Sequence, residues 1–311
     1  MRAKWAHGAS RSAGTRICAS VQSTGTWAHD SLETLLPDAT ENAQGSPVDL
    51  IYDVGAHRGE DTDFYLRKGF RVVAVEADPV LAASLREKFS SAIESRQLVV
   101  VEAAVADAPG EIEFFHNEQS SVWGTIHTDW AERNEKMGAP SSRVKVRAVR
   151  FEDLLQEFGV PYYLKVDIEG ADMLCVSALG SLKDKPRFVS VESTKTSWAS
   201  LLKEFDILES LGYRRFQVVN QARIEEQSEP NPPREGAYAD HNPRFGSSGL
   251  FGKDLPGRWL TKAQAIRKYA PLFLRYKFFG DNTKGQRLIW RFPKKYQRMV
   301  IPDWYDTHAA L

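Results

Sequence analysis

The stretch "DLIYDVGAHRGEDTDFYLRKGFRVVAVEADP", Asp49 to Pro79, decides the fold. It runs from an apolar strand through a glycine turn into a helix start crowded with acids. Gly69 then stops that helix, and a second apolar strand closes on Glu76 before Pro79 opens another helix. Open parallel sheets hold nucleotide-type ligands with this layout, at the carboxyl ends of their strands.

The turn from Asp53 to Gly59 reads G-x-x-x-G, which is neither the dinucleotide fingerprint nor a P-loop. Gly55 and Gly59 let the chain turn sharply and let backbone approach a ligand closely. The charge at the turn then separates the ligands. A pyrophosphate wants a bare helix N-terminus, whereas this helix opens with Glu60, Asp61 and Asp63 behind Asp53. Such a cluster repels phosphate and suits a ligand bearing a sulfonium or ammonium group, which points to S-adenosylmethionine rather than NAD. Glu76, 23 residues past Asp53, stands where a carboxylate accepts hydrogen bonds from two ribose hydroxyls. The bland alternative is that Asp53 and Glu76 only solvate strand ends.

The alternation continues to residue 220. "LVVVEAAV", "YYLKVDI", "RFVSVE" and "RRFQVV" read as further buried parallel strands. Amphipathic helices are predicted over Glu60–Lys68, Pro79 to about Ser91, Ala171–Leu179 and Trp198–Leu211. The pattern predicts a doubly wound, Rossmann-like α/β sheet. "GEIEFF" and "SRVKVRAV" add a β-insertion around a polar loop, Asn117 to Ser142.

The chain has 311 residues, equal numbers of basic and acidic side chains and two cysteines, Cys18 and Cys175. Neither a disulfide framework nor a zinc spacing is visible, and no apolar run is long enough to span a membrane. These features predict a cytoplasmic location. Residues 1–47 read as a disordered leader, with an organellar transit peptide within 1–29 as the alternative. The expected organisation is that leader, a catalytic domain over 48–221, a Pro/Gly-rich loop or lid over 222–260, and a basic, aromatic extension over 261–311.

The region from about 49 to 220 resembles the FkbM family of class I methyltransferases. The likeness rests on "DVGAHRGEDT", on "VEADP" and on "VRAVRFEDLLQEFGVPYYLKVDIEGADMLCVSAL", whose K-x-D-x-E-G strand follows the short helix at "FEDLL". His57 departs from the Asn more usual there. The resemblance implies S-adenosylmethionine as cofactor and methylation of a hydroxyl on a sugar, polysaccharide or secondary metabolite. N- or carboxyl-methylation, or a non-catalytic scaffold, is the alternative. Candidate cofactor contacts are Asp53, Gly55, Ala56, Gly59, Thr62, Glu76, Ala77 and Asp167, with Glu102 to Ala104 near the adenine and Ser120, Ser121 and Gly124 in the polar loop.

A hydroxyl acceptor must lose its proton, so acids at strand ends are the candidates for catalysis. In "YYLKVDIEG", Lys165, Asp167 and Glu169 share one strand face. Three charges there are costly unless they are paired or open onto a pocket. Asp167 would face the methionine moiety or the acceptor, with Lys165 holding it ionised. Alternatively, Lys165 and Glu169 form a structural ion pair and Asp167 caps the next helix. Glu192 ends the neighbouring strand, and with Asp167 it would supply a base or a Mg²⁺ site, the metal-free version being preferred. His127 is a further candidate base.

From Thr261 to Val300 come 11 Lys or Arg residues against one acid, Asp281, among eight aromatics. Nucleic acid is not the expected partner, because the overall charge is zero. The segment is expected to cap the acceptor side of the pocket and to favour an anionic acceptor, with "GSSGLFGKDLPGRWL" as a glycine-hinged loop.

Overall fold

The computed structural model describes residues 49–117, 124–136, 138–168, 170–194, 196–244, 246–280, 283–293 and 303–311. The leader, Ser120, Ser121 and Glu169 therefore lie outside the described residues. The first half of the chain runs β1 (Leu50–Val54), α1 (Glu60–Arg67), β2 (Arg71–Glu76), α2 (Pro79–Lys88), α3 (Ser90–Glu94) and β3 (Leu98–Glu102). It continues through β4 (Ala104–Val105), β5 (Gly110–Asn117), α4 (Thr128–Lys136) and β6 (Ser141–Val149). Next come α5 (Phe151–Phe158), β7 (Tyr163–Val166), α6 (Asp172–Ala178), β8 (Phe188–Glu192), α7 (Trp198–Ser210) and β9 (Arg215–Asn220). After a long irregular segment, α8 (Lys262–Phe279), α9 (Lys284–Ile289) and β10 (Tyr305–Ala310) complete the described elements.

The main sheet has the order β3-β2-β1-β7-β8-β10-β9. Its first five strands are parallel, and β1, β2 and β7 are buried at every residue. That explains their unbroken apolar runs, because helices cover both faces. Successive residues feed opposite cores: Leu50, Tyr52 and Val54 pack beside Phe205 and Tyr269, while Ile51 packs beside Phe64, Tyr65 and Phe251. "LVVVEAAV" is not one strand. It breaks at Ala103, so that β3 stays in the main sheet and β4 joins β6 and β5 in a three-stranded sheet.

Two segments differ from the sequence expectation. The end of the chain is a core strand rather than an appendage, since β10 inserts between β8 and β9 and runs antiparallel to both. The Pro/Gly-rich segment is pinned rather than hinged. Phe251 is fully buried and stacks on Tyr163 at 4.7 Å. The ammonium of Lys68, itself fully buried, donates to Glu229 at 2.6 Å, to Asp254 at 3.2 Å and to the Ala237 carbonyl at 3.2 Å. Three acceptors around one buried cation compensate its desolvation, and the same contacts tie residues 229–254 to the end of α1.

Candidate functional site

A cavity of about 950 Å³ opens beyond the carboxyl ends of β1, β2, β7 and β8, the place open α/β sheets reserve for ligands. The glycine turn forms part of its wall. Gly55 has φ 81°, and its N–H and that of Ala56 both donate to the Val75 carbonyl. A β-carbon at Gly55 would come within 1.9 Å of the Asp167 carbonyl oxygen, so only glycine fits between β2 and the loop after β7. His57 also has positive φ, 50°. Asn and His are among the residues that tolerate that conformation best, which accounts for the exchange at this position.

Lys165 is the hub under the turn. Its ammonium donates to the Gly55 carbonyl at 2.8 Å and pairs with Asp53 at 3.0 Å and Asp61 at 4.0 Å. Burial alone would lower the lysine pKa; Asp53, then Asp167 and Asp61, reverse this and leave it raised. Lys165 is therefore a fixed cation and cannot serve as a base. Asp53, wholly buried, also accepts the Thr62 hydroxyl at 2.6 Å.

Glu76 holds the second position. One carboxylate oxygen accepts the His57 N–H at 2.7 Å and the other the Asp78 N–H at 2.8 Å. Burial raises its pKa to about 7, against the pull of those two donors. Each oxygen keeps a further lone pair, and the residue lines the cavity beside Ala77, Ala103, Ala104, Leu81 and Phe114.

Across the sheet, strand ends carry a row of acids. Asp167 follows β7, Glu192 ends β8, and Asp306 of β10 is in register with Glu192. All three line the cavity. Burial first, then Asp167 and Glu192, push the Asp306 pKa well above its ordinary value. Asp172 receives the Ile168 and Gly170 N–H groups at 3.1 and 3.2 Å, holding the loop after β7. The capping role considered for Asp167 is not filled: the N-cap of α6 is Ala171, and no side chain caps that end. Deeper in, Glu204 accepts the Ser193 hydroxyl at 2.6 Å, and burial raises its pKa to about 8.

Among the sequence candidates, Gly55, Ala56, Glu76, Ala77, Ala104, Gly124, Lys165, Asp167 and Glu192 are brought together on the cavity wall. Asp53 and Thr62 are not on it, because their side chains satisfy each other beneath the turn. Gly59 faces Phe89 and Leu85 instead. Glu102 pairs with Arg86 on the surface, at 2.6 Å. His127 does not line the cavity, although its neighbour Trp130 does. Asp172, Glu204 and Asp306 line it and were missed. Asp61, from the acidic helix start that suits a cationic ligand, lines it too; it accepts the Ser248 N–H at 2.9 and 3.0 Å and closes the wall there.

One expectation is corrected. α8 and α9 contribute nothing to the cavity among the described residues; from the final segment only Trp304 and Asp306 reach it. Among the described residues no group of three His, Cys, Asp or Glu is arranged to hold a metal ion, and no helix is long and apolar enough to cross a membrane.

The described cavity fits S-adenosylmethionine on its own chemistry. Glu76 offers open lone pairs for a diol, the glycine turn admits close approach, and the acidic wall favours a cationic ligand. Comparison with known proteins agrees. The model of the "Methyltransferase FkbM domain" matches residues 53–215, more than half of the chain. The chain belongs to this family of S-adenosylmethionine-dependent methyltransferases.

A curated relative, "Probable ribosomal RNA small subunit methyltransferase A" of Haloarcula marismortui, is 38% identical over 72 residues, 22% of this chain. The matched part spans 25% of that relative's length. Among solved structures, a SAM-dependent methyltransferase from Archaeoglobus fulgidus is 11% identical and covers 84% of this chain and 86% of that one, with TM-score 0.34. One from Geobacter sulfurreducens, in complex with S-adenosyl-L-homocysteine, is 9% identical over 85% of this chain and 84% of that one, also with TM-score 0.34. The family assignment rests on the domain match and not on these overlaps.

Proposed function

We propose that this protein methylates a hydroxyl of a neutral, polyhydroxylated acceptor: a sugar, a polysaccharide or a comparable secondary metabolite. The observation that carries this reading is the row Asp167, Glu192 and Asp306 in the same cavity as Glu76. Glu76 on β2 lies three strand spacings from Glu192 on β8, roughly 14 Å. That span leaves room for a cofactor and an acceptor end to end.

When bound, S-adenosylmethionine supplies an electrophilic methyl group on a sulfonium centre. Glu76 would take its ribose hydroxyls, Ala77, Ala104 and Phe114 would flank the base, and Gly55 and Ala56 would face it with backbone. Asp61 and Asp167 give the negative potential that its amino and sulfonium groups require. Asp53 and Thr62 act one layer below, by fixing Lys165 and the turn.

On the acceptor side, Trp130 and Trp304 line the cavity together with Thr194, Thr196, Ser197 and Ser200. That mixture matches a sugar ring, apolar on its faces and hydroxylated at its rim. Asp167 or Glu192 takes the hydroxyl proton. The ribosomal RNA named for the curated relative is not carried over, because the acidic wall repels phosphates.

Transfer of labelled methyl groups to a panel of neutral sugars and of amines tests the reading. Glu192→Gln should lower turnover on the sugar by ~10²–10⁴-fold if it is the positioned base, with cofactor affinity retained, whereas Asp167→Asn should weaken cofactor binding as well. Methylation of amines with no hydroxyl acceptor in the panel would overturn it in favour of N-methylation.

A further inference from the structure

We infer that the outer face of α8 and α9 docks the protein on an anionic lipid surface, independently of the methyl-transfer reading. The inner face of α8 is already used. Ala265, Tyr269 and Leu272 are buried, Tyr269 packs edge-on to Phe205, and Lys262 is tied to Asp206 and Glu209 of α7. The opposite face nevertheless carries large apolar side chains: Leu274 is 60% and Phe278 55% exposed. With Arg267 and Pro271 they follow the i, i+4, i+7, i+11 spacing of a single helix face. A helix packed on only one side has no need of apolar groups on the other.

α9 extends the patch. A β-carbon at Gly285 would come within 2.1 Å of the Phe278 carbonyl oxygen, so the start of α9 sits directly against the end of α8. Beyond that contact Leu288 is 57% and Trp290 64% exposed. Arg267, Lys277, Lys284, Arg287 and Arg291 occupy exposed positions among these apolar groups. The described residues from 261 to 293 include no Asp or Glu.

Charge complementarity selects the occupant. Exposed Trp, Phe and Leu side chains interleaved with Lys and Arg are the composition of helices that lie in the interface of an anionic bilayer. Apolar groups enter the headgroup boundary there while the cations meet lipid phosphates and carboxylates. A neutral protein partner would leave the cations without a counterpart. A nucleic acid would leave Leu274, Phe278 and Leu288 in water.

Flotation of the full chain with phosphatidylcholine vesicles, with and without phosphatidylserine, tests the proposal. The protein should float with the serine-containing vesicles only, and less so as salt rises. Each basic residue near the surface is worth about fivefold in partitioning, so the Lys284→Glu, Arg287→Glu double variant should lose about 25-fold or more. The Leu274→Ser, Phe278→Ser double variant should weaken partitioning without changing its salt dependence. Unaltered far-ultraviolet circular dichroism and melting temperature show that both variants are folded. No flotation at low salt, flotation unchanged in either variant, or release from vesicles by homopolymeric RNA would each overturn the proposal.

Discussion

Lys165→Met removes the cation that Asp53 and Asp61 share at the cavity wall. The lysine is 4% exposed, Asp61 4% and Asp53 not at all. Methionine matches the length of the lysine stem but leaves both carboxylates, 3.0 and 4.0 Å from the lost ammonium, without their cation. Breaking a buried pair by removing one partner costs ~3–5 kcal/mol. At roughly 2–4 °C per kcal/mol for a domain of this size, the melting temperature should fall by about 6–20 °C. Adding Asp53→Asn should restore most of that loss. The amide oxygen still accepts from Thr62, and the remaining buried charge is reduced to that of Asp61. Denaturant unfolding of the two single variants and the double gives the coupling energy directly. A single-variant cost below ~1 kcal/mol, or effects that add within ~0.5 kcal/mol, would refute the view that Lys165 is fixed by Asp53.

The other expectations concern the turn, the strap and pH. Gly55→Ala should cost more than the ~1–3 kcal/mol of ordinary overpacking, because its β-carbon meets backbone at 1.9 Å and φ is positive; the denaturant midpoint and a cofactor titration read this. Lys68→Met strands Glu229 and Asp254, so it should destabilise by ~3–5 kcal/mol and open the 222–260 segment to limited proteolysis first. Burial raises the pKa of Glu204 to about 8 and of Glu76 to about 7, so between roughly pH 6.5 and 8 the folded state holds protons that the unfolded chain has released. Stability should therefore fall as pH rises through that window. Burial also raises Asp61 to about 7 and Asp172 to about 6, which carries the same sign to lower pH and outweighs His308 and His241, whose pKa values burial lowers to about 3 and about 4. Melting temperatures should fall steadily from pH 5 to pH 8.

Local signals account for what the sequence made legible. β1, β2 and β7 are buried on both faces, so their apolar runs stand out, and Pro79, Gly69 and Gly212 mark helix ends by backbone chemistry alone. The glycine turn and Glu76 were legible because their spacing is set by a single β-α-β unit. β10 was not, because "YDTHAA" owes its strand to tertiary pairing with β8 and β9 and has little apolar character of its own. Asp306 was lost with it. Lys68 closes an acid-rich helix, and its charge looks solvated until residues 229–254 fold over it. Only the Leu250-Phe251 pair inside a polar, glycine-rich stretch hinted at that anchor.

The central claim is that the strand-end cavity holds S-adenosylmethionine through Glu76. Calorimetric titration of wild-type protein and Glu76→Gln with S-adenosylmethionine, and of the wild type with NAD, tests it most directly. The wild type should bind S-adenosylmethionine saturably and NAD not at all. Loss of one charge-assisted hydrogen bond, ~1.5–3 kcal/mol, should weaken the variant about 10- to 150-fold. Equal affinity in wild type and variant, or binding of NAD in place of S-adenosylmethionine, would contradict the account.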